Sequence, residues 1–474
     1  MAKIAMIGAG SVVFCKTLMM DIMATEALEK STIVLMNRTN RNGKLDRIEG
    51  FARKVVKENN LPTKIITTLD RREALKDADY VINMIQVGGI NVFQKDYEIP
   101  MKYGIDQCIG DTMGPGGIFR ALRTIPIVID IAHDMEELCP KALLLNYTNP
   151  MATVCWALGE ATTINFIGLC HGVQTTLDLI SRYVGVDKEN IDYLCAGINH
   201  MDWFLKLEKD GKDLYPMFKE NIEKPEYYIN EKVRSEVMRH FGYFMTESTG
   251  HLSEYLPWFR KNKKALDIYC DQPAFGGETG AYYKWCKKVA EKFEKVDYLE
   301  HESIKLAKRS NEYCSYIIEA METDKIFRLS GNVRNNNLIA NLTQGCCVEV
   351  PVYVDRMGLH PTYIGNLPLQ CAALCMSNII SQGLAVKAAL TGDFEYVVQA
   401  IAVDPLTSAV LTLKEARDMT IEMYKAEKKY LSQFDGKRIK EVPHIEIPEG
   451  TKSVEVPLDP ALAIAHRFGE LEKK

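Results

Sequence analysis

Residues Lys3 to Ser11 read KIAMIGAGS, and this stretch decides the fold. KIAMI is a short apolar run with the pattern of a buried strand, and Ser11 to Met23 continues with helical spacing. Gly8 and Gly10 fall at the junction. The first glycine permits a tight turn, and the next lets a pyrophosphate approach the N-terminus of the helix. The third glycine of the usual pattern is missing, because Val13 stands there. The spacing alone would fit a plain turn. Its place at the first strand–helix junction favours a nucleotide site.

Outward from this point the strand–helix alternation continues. TIVLM follows as a strand, and Gly43 to Lys57 as a helix. KIITT, YVINMI, ALLLNY and NFIGL are further short apolar runs, with a long helical stretch at Ile118 to Leu138. This rhythm predicts a doubly wound parallel sheet over residues 1–195, of the Rossmann type found in lactate and malate dehydrogenases. After Cys195 the segments lengthen and grow richer in helix and aromatic residues. Residues 196–474 are expected to form an α+β substrate domain, with an antiparallel piece at CCVEVPVYV. No linker separates the halves, which predicts that they pack as one unit. The tail after Phe434 is polar and contains proline.

Composition excludes several classes. Of 474 residues, 47% are hydrophobic and 26% charged, with a net charge of −5. There is no basic stripe with aromatics, so nucleic acid is not an expected partner. No apolar run reads as a membrane span, and the start of the chain does not read as a signal peptide. Thirteen cysteines at irregular spacing fit reduced thiols in the cytoplasm.

The second strand should end in an acid that holds the ribose hydroxyls. Here it ends LMNRT, with Asn37 and then Arg38. Asn37 can bond a ribose without repelling a 2′-phosphate, and Arg38 can attract one. The choice between NAD and NADP stays open, as does a plain solvated loop. Past the fourth strand come QVGG and then GDTMGPGG, Gly110 to Gly117. Four glycines and a proline in eight residues imply close backbone approach, and Asp111 is the ionisable group among them. LLLNYTNP ends a strand at Asn149-Pro150, which reads as a helix start; it also resembles an Asn-Pro of lactate and malate dehydrogenases that lies near the nicotinamide. In GLCHGV, Cys170 and His171 follow a strand, and His200 follows another in AGINHM. A thiolate and an imidazole can converge on a divalent metal. Thirty residues apart, they have no zinc-finger spacing, and a buried strand-end thiol is the ordinary alternative.

As an ordered set, GAGS, QVGG, GDTMGPGGIFRALRTIP, LNYTNP, GLCHGV, AGINHM, TESTGHLSEYLPWF, GNVRNN and LTQGCCVEV resemble glycoside hydrolase family 4, the NAD- and manganese-dependent glycosidases. The family departs from two-carboxylate glycosidases. The resemblance runs to about residue 430. It implies that Cys170 and His200 bind Mn²⁺, that His171 is the proton donor and that Asn149 touches the sugar. Gly8, Gly10 and Asn37 would hold NAD, and Asp111 is the next candidate for the acid. It also implies a redox-assisted elimination. A hydride leaves C3 of the sugar and later returns, and in between the C2 proton is removed and the glycosidic oxygen departs. A homodimer or homotetramer is the implied assembly.

A tyrosine serves as base in some members, and Tyr243 and Tyr255 are the candidates here. Glu247, His251 and Glu254 share their segment and are expected to touch sugar hydroxyls or orient the base. Arg334 is a candidate for substrate or phosphate contact, with a surface loop as the alternative. The sugar is expected to be an α-galactoside first, from the whole-chain match. His171 argues against phospho-sugars. Gly172 replaces the serine common in melibiase-like members, which is expected to open space near the sugar. Glycine there resembles the α-glucosidases and uronic-acid glycosidases of the family, which places α-glucosides second and α-glucuronides or α-galacturonides third. A hydroxy-acid dehydrogenase is the alternative of another class, and it leaves Cys170, His200 and GDTMGPGG unexplained.

Overall fold

The computed structural model describes residues 1–294, 299–455, 457 and 459–461. Met1–Ile439 forms one compact unit, and Lys440–Lys474 a second whose described residues are mostly exposed and carry little regular structure.

The strands are β1 Lys3–Ile7, β2 Thr32–Met36, β3 Lys64–Thr68, β4 Tyr80–Asn83, β5 Leu143–Asn146, β6 Asn165–Gly168, β7 Asp192–Ile198, β8 Met201–Lys209, β9 Lys212–Asp213, β10 Phe327–Arg334, β11 Cys347–Asp355 and β12 Gly358–Pro361. The first six are parallel in the order β3-β2-β1-β4-β5-β6, with helices between them. This is the doubly wound arrangement that the alternating pattern predicts. The sheet does not stop there. β10 joins β6 antiparallel at Asn332 and Gly168, and β11, β7, β8 and β9 follow. The two halves expected from the sequence therefore share one sheet. Gly168 marks the seam: a Cβ there would lie 2.6 Å from Met151 Sδ and 2.7 Å from Cys155 Sγ.

The parallel strands are apolar throughout because both faces are covered. Along β1, Ile4 and Met6 enter one core while Ala5 and Ile7 enter the other; β2 divides Ile33 and Leu35 from Val34 and Met36 in the same way. This is the two-residue period of a strand buried on both sides. Each fully buried Ile, Leu or Met contributes roughly 1.5–3 kcal/mol.

Two details differ from the sequence reading. The long helix begins at Gly114, so it takes in the last four residues of GDTMGPGG. Pro115 suits the first turn. Gly116 and Gly117 are required because the turn is clamped on its own loop, with ideal Cβ positions 2.6 Å from Gly110 O and 2.4 Å from Thr112 C. Second, helix Leu369–Thr391 is long and apolar enough to cross a membrane, contrary to the expectation that no such run exists. Its composition has a packing cause. It lies against helices Gly114–Leu138 and Phe394–Val403, with Cys371, Cys375, Ile379, Ala385 and Ala388 buried. All thirteen cysteines are free thiols, and only Cys170 and Cys286 are not fully buried.

Candidate active site

The C-terminal ends of β1, β2, β4, β5 and β6 open into a cleft of about 1800 Å³. Such ends converge where a parallel sheet reverses its winding, and ligands bind there. Gly8, Gly10 and Asn37 line one end of the cleft; Asp111, Asn149, Cys170, His171 and His200 line the other. These eight sequence candidates thus line one cleft.

At the first end, Gly8 has φ +94°, and its backbone N–H donates to Met36 O at 3.0 Å. A Cβ on Gly8 would lie 3.0 Å from the Met84 carbonyl. Gly10 leaves room for the Asn37 amide, 2.8 Å from the position its Cβ would take. The turn lies bare against the neighbouring strand ends, as backbone approach to a pyrophosphate requires.

At the other end, Cys170, His200 and Glu247 present one ligand atom each, all within 4.8 Å of one another. Cys170 Sγ is 4.0 Å from Glu247 Oε1, and His200 Nε2 is 3.7 Å from the same oxygen. His200 sits in the tight turn between β7 and β8, with φ +65°. Glu247, in the loop after Met245, has φ +76°. Left-handed backbone is costly for such residues and persists where the surroundings enforce it.

The charge states suit a cation. Burial lowers the His200 imidazole to about 4, so it is neutral at pH 7 and keeps a lone pair. Its Nδ1 lies 3.1 Å from the Tyr255 hydroxyl, which leaves Nε2 facing the cluster. Burial resists the charge on Glu247, yet His200 and His251 hold this carboxylate below its usual range. Burial, then Glu247, push the Cys170 thiol well above its own. A divalent cation among these donors would supply the charge that a thiolate needs. One soft sulfur, one imidazole and one carboxylate fit a first-row transition ion.

Outer contacts fix the cluster. His251 Nδ1 lies 3.4 Å from Glu247 Oε2, and its Nε2 3.1 Å from Thr112 Oγ1. Asn149 Nδ2 lies 3.4 Å from Asp111 Oδ2, which pairs with Arg120 at 3.2 Å. Asp111 therefore ties the β5 loop to the glycine-rich loop. Asn199 donates to Glu349 at 3.0 Å, beneath the His200 turn.

His171 follows Cys170 at the start of helix Gly172–Val184. Its Nδ1 is 3.4 Å from Glu312 Oε1. That bond, against the effect of burial, raises the imidazole above its ordinary value. A histidine held in its acid form is suited to proton donation.

Other sequence candidates fall elsewhere. Tyr243 packs against Tyr215 in an apolar cluster and does not line the cleft. Tyr255 is fully buried and orients His200. Glu254 is buried under the glycine-rich loop, accepting from the backbone N–H of Ile109 at 2.5 Å and Gly110 at 3.0 Å. Arg334 ends β10 and donates to the Gly159 carbonyl, away from the cleft. Gly172 does not open space near a sugar: a Cβ there would lie 2.2 Å from Glu247 Oε1, so the carboxylate occupies the room. Sequence reasoning missed Glu312, and no local pattern marks it, since it precedes helix Cys314–Thr323 far along the chain.

Comparison with known proteins shows the family. The model of the family 4 glycosyl hydrolases matches residues 3–186, and that of the family 4 glycosyl hydrolase C-terminal domain matches residues 195–407. The chain is 41% identical to an α-galactosidase of Bacillus subtilis (strain 168), covering 92% of this chain and 100% of that protein. It is 39% identical to an α-galactosidase of Rhizobium meliloti (strain 1021), covering 91% and 89%. The fold is shared with a 6-phospho-β-glucosidase from Thermotoga maritima, solved with manganese, NAD⁺ and glucose-6-phosphate, at a TM-score of 0.73 and 23% identity over 90% of this chain and 98% of that one.

Proposed function

This chain belongs to glycosyl hydrolase family 4 and is a glycoside hydrolase, and from that premise we propose that it is an NAD- and manganese-dependent α-galactosidase. The observation that carries the reading is the cluster of Cys170, His200 and Glu247 in the same cleft as the Gly8–Gly10 turn. Classical glycosidases need two carboxylates across the scissile bond. Here the cleft instead joins a dinucleotide cradle to a donor set for a soft divalent ion. Identity near 40% over nine-tenths of the chain supports galactose as the sugar.

Gly8, Gly10 and Asn37 would hold the dinucleotide, and Cys170, His200 and Glu247 the manganese. When bound, the pair supplies reversible hydride acceptance from the sugar and Lewis acidity at the neighbouring oxygens. Tyr255 fixes the ring of His200 through Nδ1, and His251 fixes the Glu247 carboxylate. Asn149, anchored on Asp111, faces the cleft with an amide for sugar hydroxyls. His171 donates its proton to the departing glycosidic oxygen, and Glu312 keeps that proton available. The space beside Gly172 is taken by the Glu247 carboxylate, so added room for a sugar there gives no support to glucose or a uronic acid.

The test is turnover of nitrophenyl α-galactoside, α-glucoside and both α-uronides, with and without added NAD⁺ and Mn²⁺ under reducing conditions. The α-galactoside should be cleaved fastest and only with both additions. Full activity in protein stripped of nucleotide and metal would contradict the reading.

A further inference from the structure

We propose that the cleft also accepts the 2′-phosphate of NADP⁺, on a wall built from Arg38, Arg41 and Lys44. The inference rests on the reading that the Gly8–Asn37 end holds the adenosine half of a dinucleotide.

Residue 37 stands where an NAD-selective site places an acid against the ribose hydroxyls. Here the side chain is a neutral amide. It is held over the nucleotide turn: its Nδ2 donates to Thr39 O at 2.7 Å and lies 2.8 Å from where a Gly10 Cβ would be. A carboxylate fixed there would repel a phosphate dianion, whereas the amide does not.

Beyond Asn37 the wall is cationic. Arg38, Arg41, Lys44 and Arg71 all line the cleft. Arg71 is committed to Asp134, with Nε 2.6 Å from Oδ2. Arg38, Arg41 and Lys44 have no ion pair among the described residues. Asp70 is a carboxylate on this wall, and its Oδ1 already accepts the backbone N–H of Arg72 at 2.8 Å as a helix cap. Three cations without an ion pair thus line the cleft with Asp70, already a helix cap, and Asp130. NAD⁺ presents only a neutral hydroxyl at this position and makes no use of such charge. A phosphate does, because a guanidinium can bond two of its oxygens at once.

The experiment titrates full-length, nucleotide-free protein with NAD⁺ and NADP⁺, read by quenching of tryptophan fluorescence; Trp285 lines the cleft. The dissociation constant for NADP⁺ should lie within about 10-fold of that for NAD⁺. Arg38→Ala should weaken NADP⁺ by about 10-fold or more, the worth of one charged hydrogen bond, and NAD⁺ by less than about 3-fold. Asn37→Asp should likewise weaken NADP⁺ selectively, and added salt should weaken NADP⁺ more steeply than NAD⁺. Retained NAD⁺ binding in Arg38→Ala, and an unchanged melting temperature in both variants, report that the fold is intact. NADP⁺ binding about 100-fold weaker than NAD⁺, or parallel loss of both on Arg38→Ala, would overturn the inference and leave the dinucleotide site standing. Binding of neither would overturn both.

Discussion

Gly172→Ala adds one methyl group beside the metal cluster and should weaken it. The added Cβ would lie 2.2 Å from Glu247 Oε1, while real Cβ contacts essentially never fall under 3.0 Å. The carboxylate must withdraw by about 0.8 Å simply to reach that limit. Oε1 is the far end of a flexible side chain, so it can move, but only by leaving its present contacts. The Glu247 backbone is held at φ +76°, and its oxygens face His200 at 3.7 Å and His251 at 3.4 Å. Metal–ligand distances tolerate only ~0.2 Å. Disturbing the outer contacts of a site already costs ~10–100-fold in affinity. Displacing this donor should fall in that range, with a parallel loss of activity. The fold should survive, because alanine is preferred over glycine in a helix by roughly 0.5–1 kcal/mol, which offsets part of the crowding. Mn²⁺ affinity would be read by electron paramagnetic resonance, with the melting temperature of metal-free protein as control. The double variant Gly172→Ala/Glu247→Asp, one methylene shorter, should recover part of the affinity. Wild-type affinity and rate in Gly172→Ala alone would refute the reasoning.

His171→Ala should slow hydrolysis of an alkyl galactoside ~10²–10⁴-fold more than that of a nitrophenyl galactoside, since only the basic leaving oxygen needs a proton. An equal loss on both would remove His171 as the acid. Glu312 raises the His171 value, so the acid form is present below the folded-state value and is lost as pH rises through it. Glu312→Gln should therefore move the alkaline limb of the pH–rate profile to lower pH on the alkyl substrate, and an unmoved limb would contradict the pairing. Tyr255→Phe deletes the partner of His200 Nδ1 and should weaken Mn²⁺ binding ~10–100-fold in a folded protein; unchanged affinity would mean that packing alone orients the ring.

The parallel half of the fold is legible because its strands are short, apolar on both faces and separated by helices. Each strand end then points to a loop at the same edge of the sheet, which is why Gly8, Asn37, Asn149 and Cys170 line one cleft. Cys170 and His200 could be suspected from chemistry, but only the family resemblance joined them. Glu247 was visible as an acid in the right segment. Its partnership was not, because it depends on a left-handed backbone and on the absence of a side chain at Gly172, 75 positions earlier. Read without its neighbour, Gly172 looks like space for a sugar. Glu312 meets His171 only because the loop before helix Cys314–Thr323 comes back to the cleft. Arg334 shows the reverse error. In GNVRNN it reads as a free cation in a loop, but β10 carries it to the Gly159 carbonyl. Helix Leu369–Thr391 is long and apolar enough for a membrane span because burial between helices asks for the same composition.

The central claim is that the glycosidic bond breaks by elimination after oxidation of the sugar, not by direct displacement. It is tested by running the reaction in D₂O with methyl α-galactoside, NAD⁺ and Mn²⁺ and examining the released galactose by proton NMR. The account predicts deuterium at C2 of the product and no net NADH. Galactose that keeps its original hydrogen at C2 throughout turnover would contradict it.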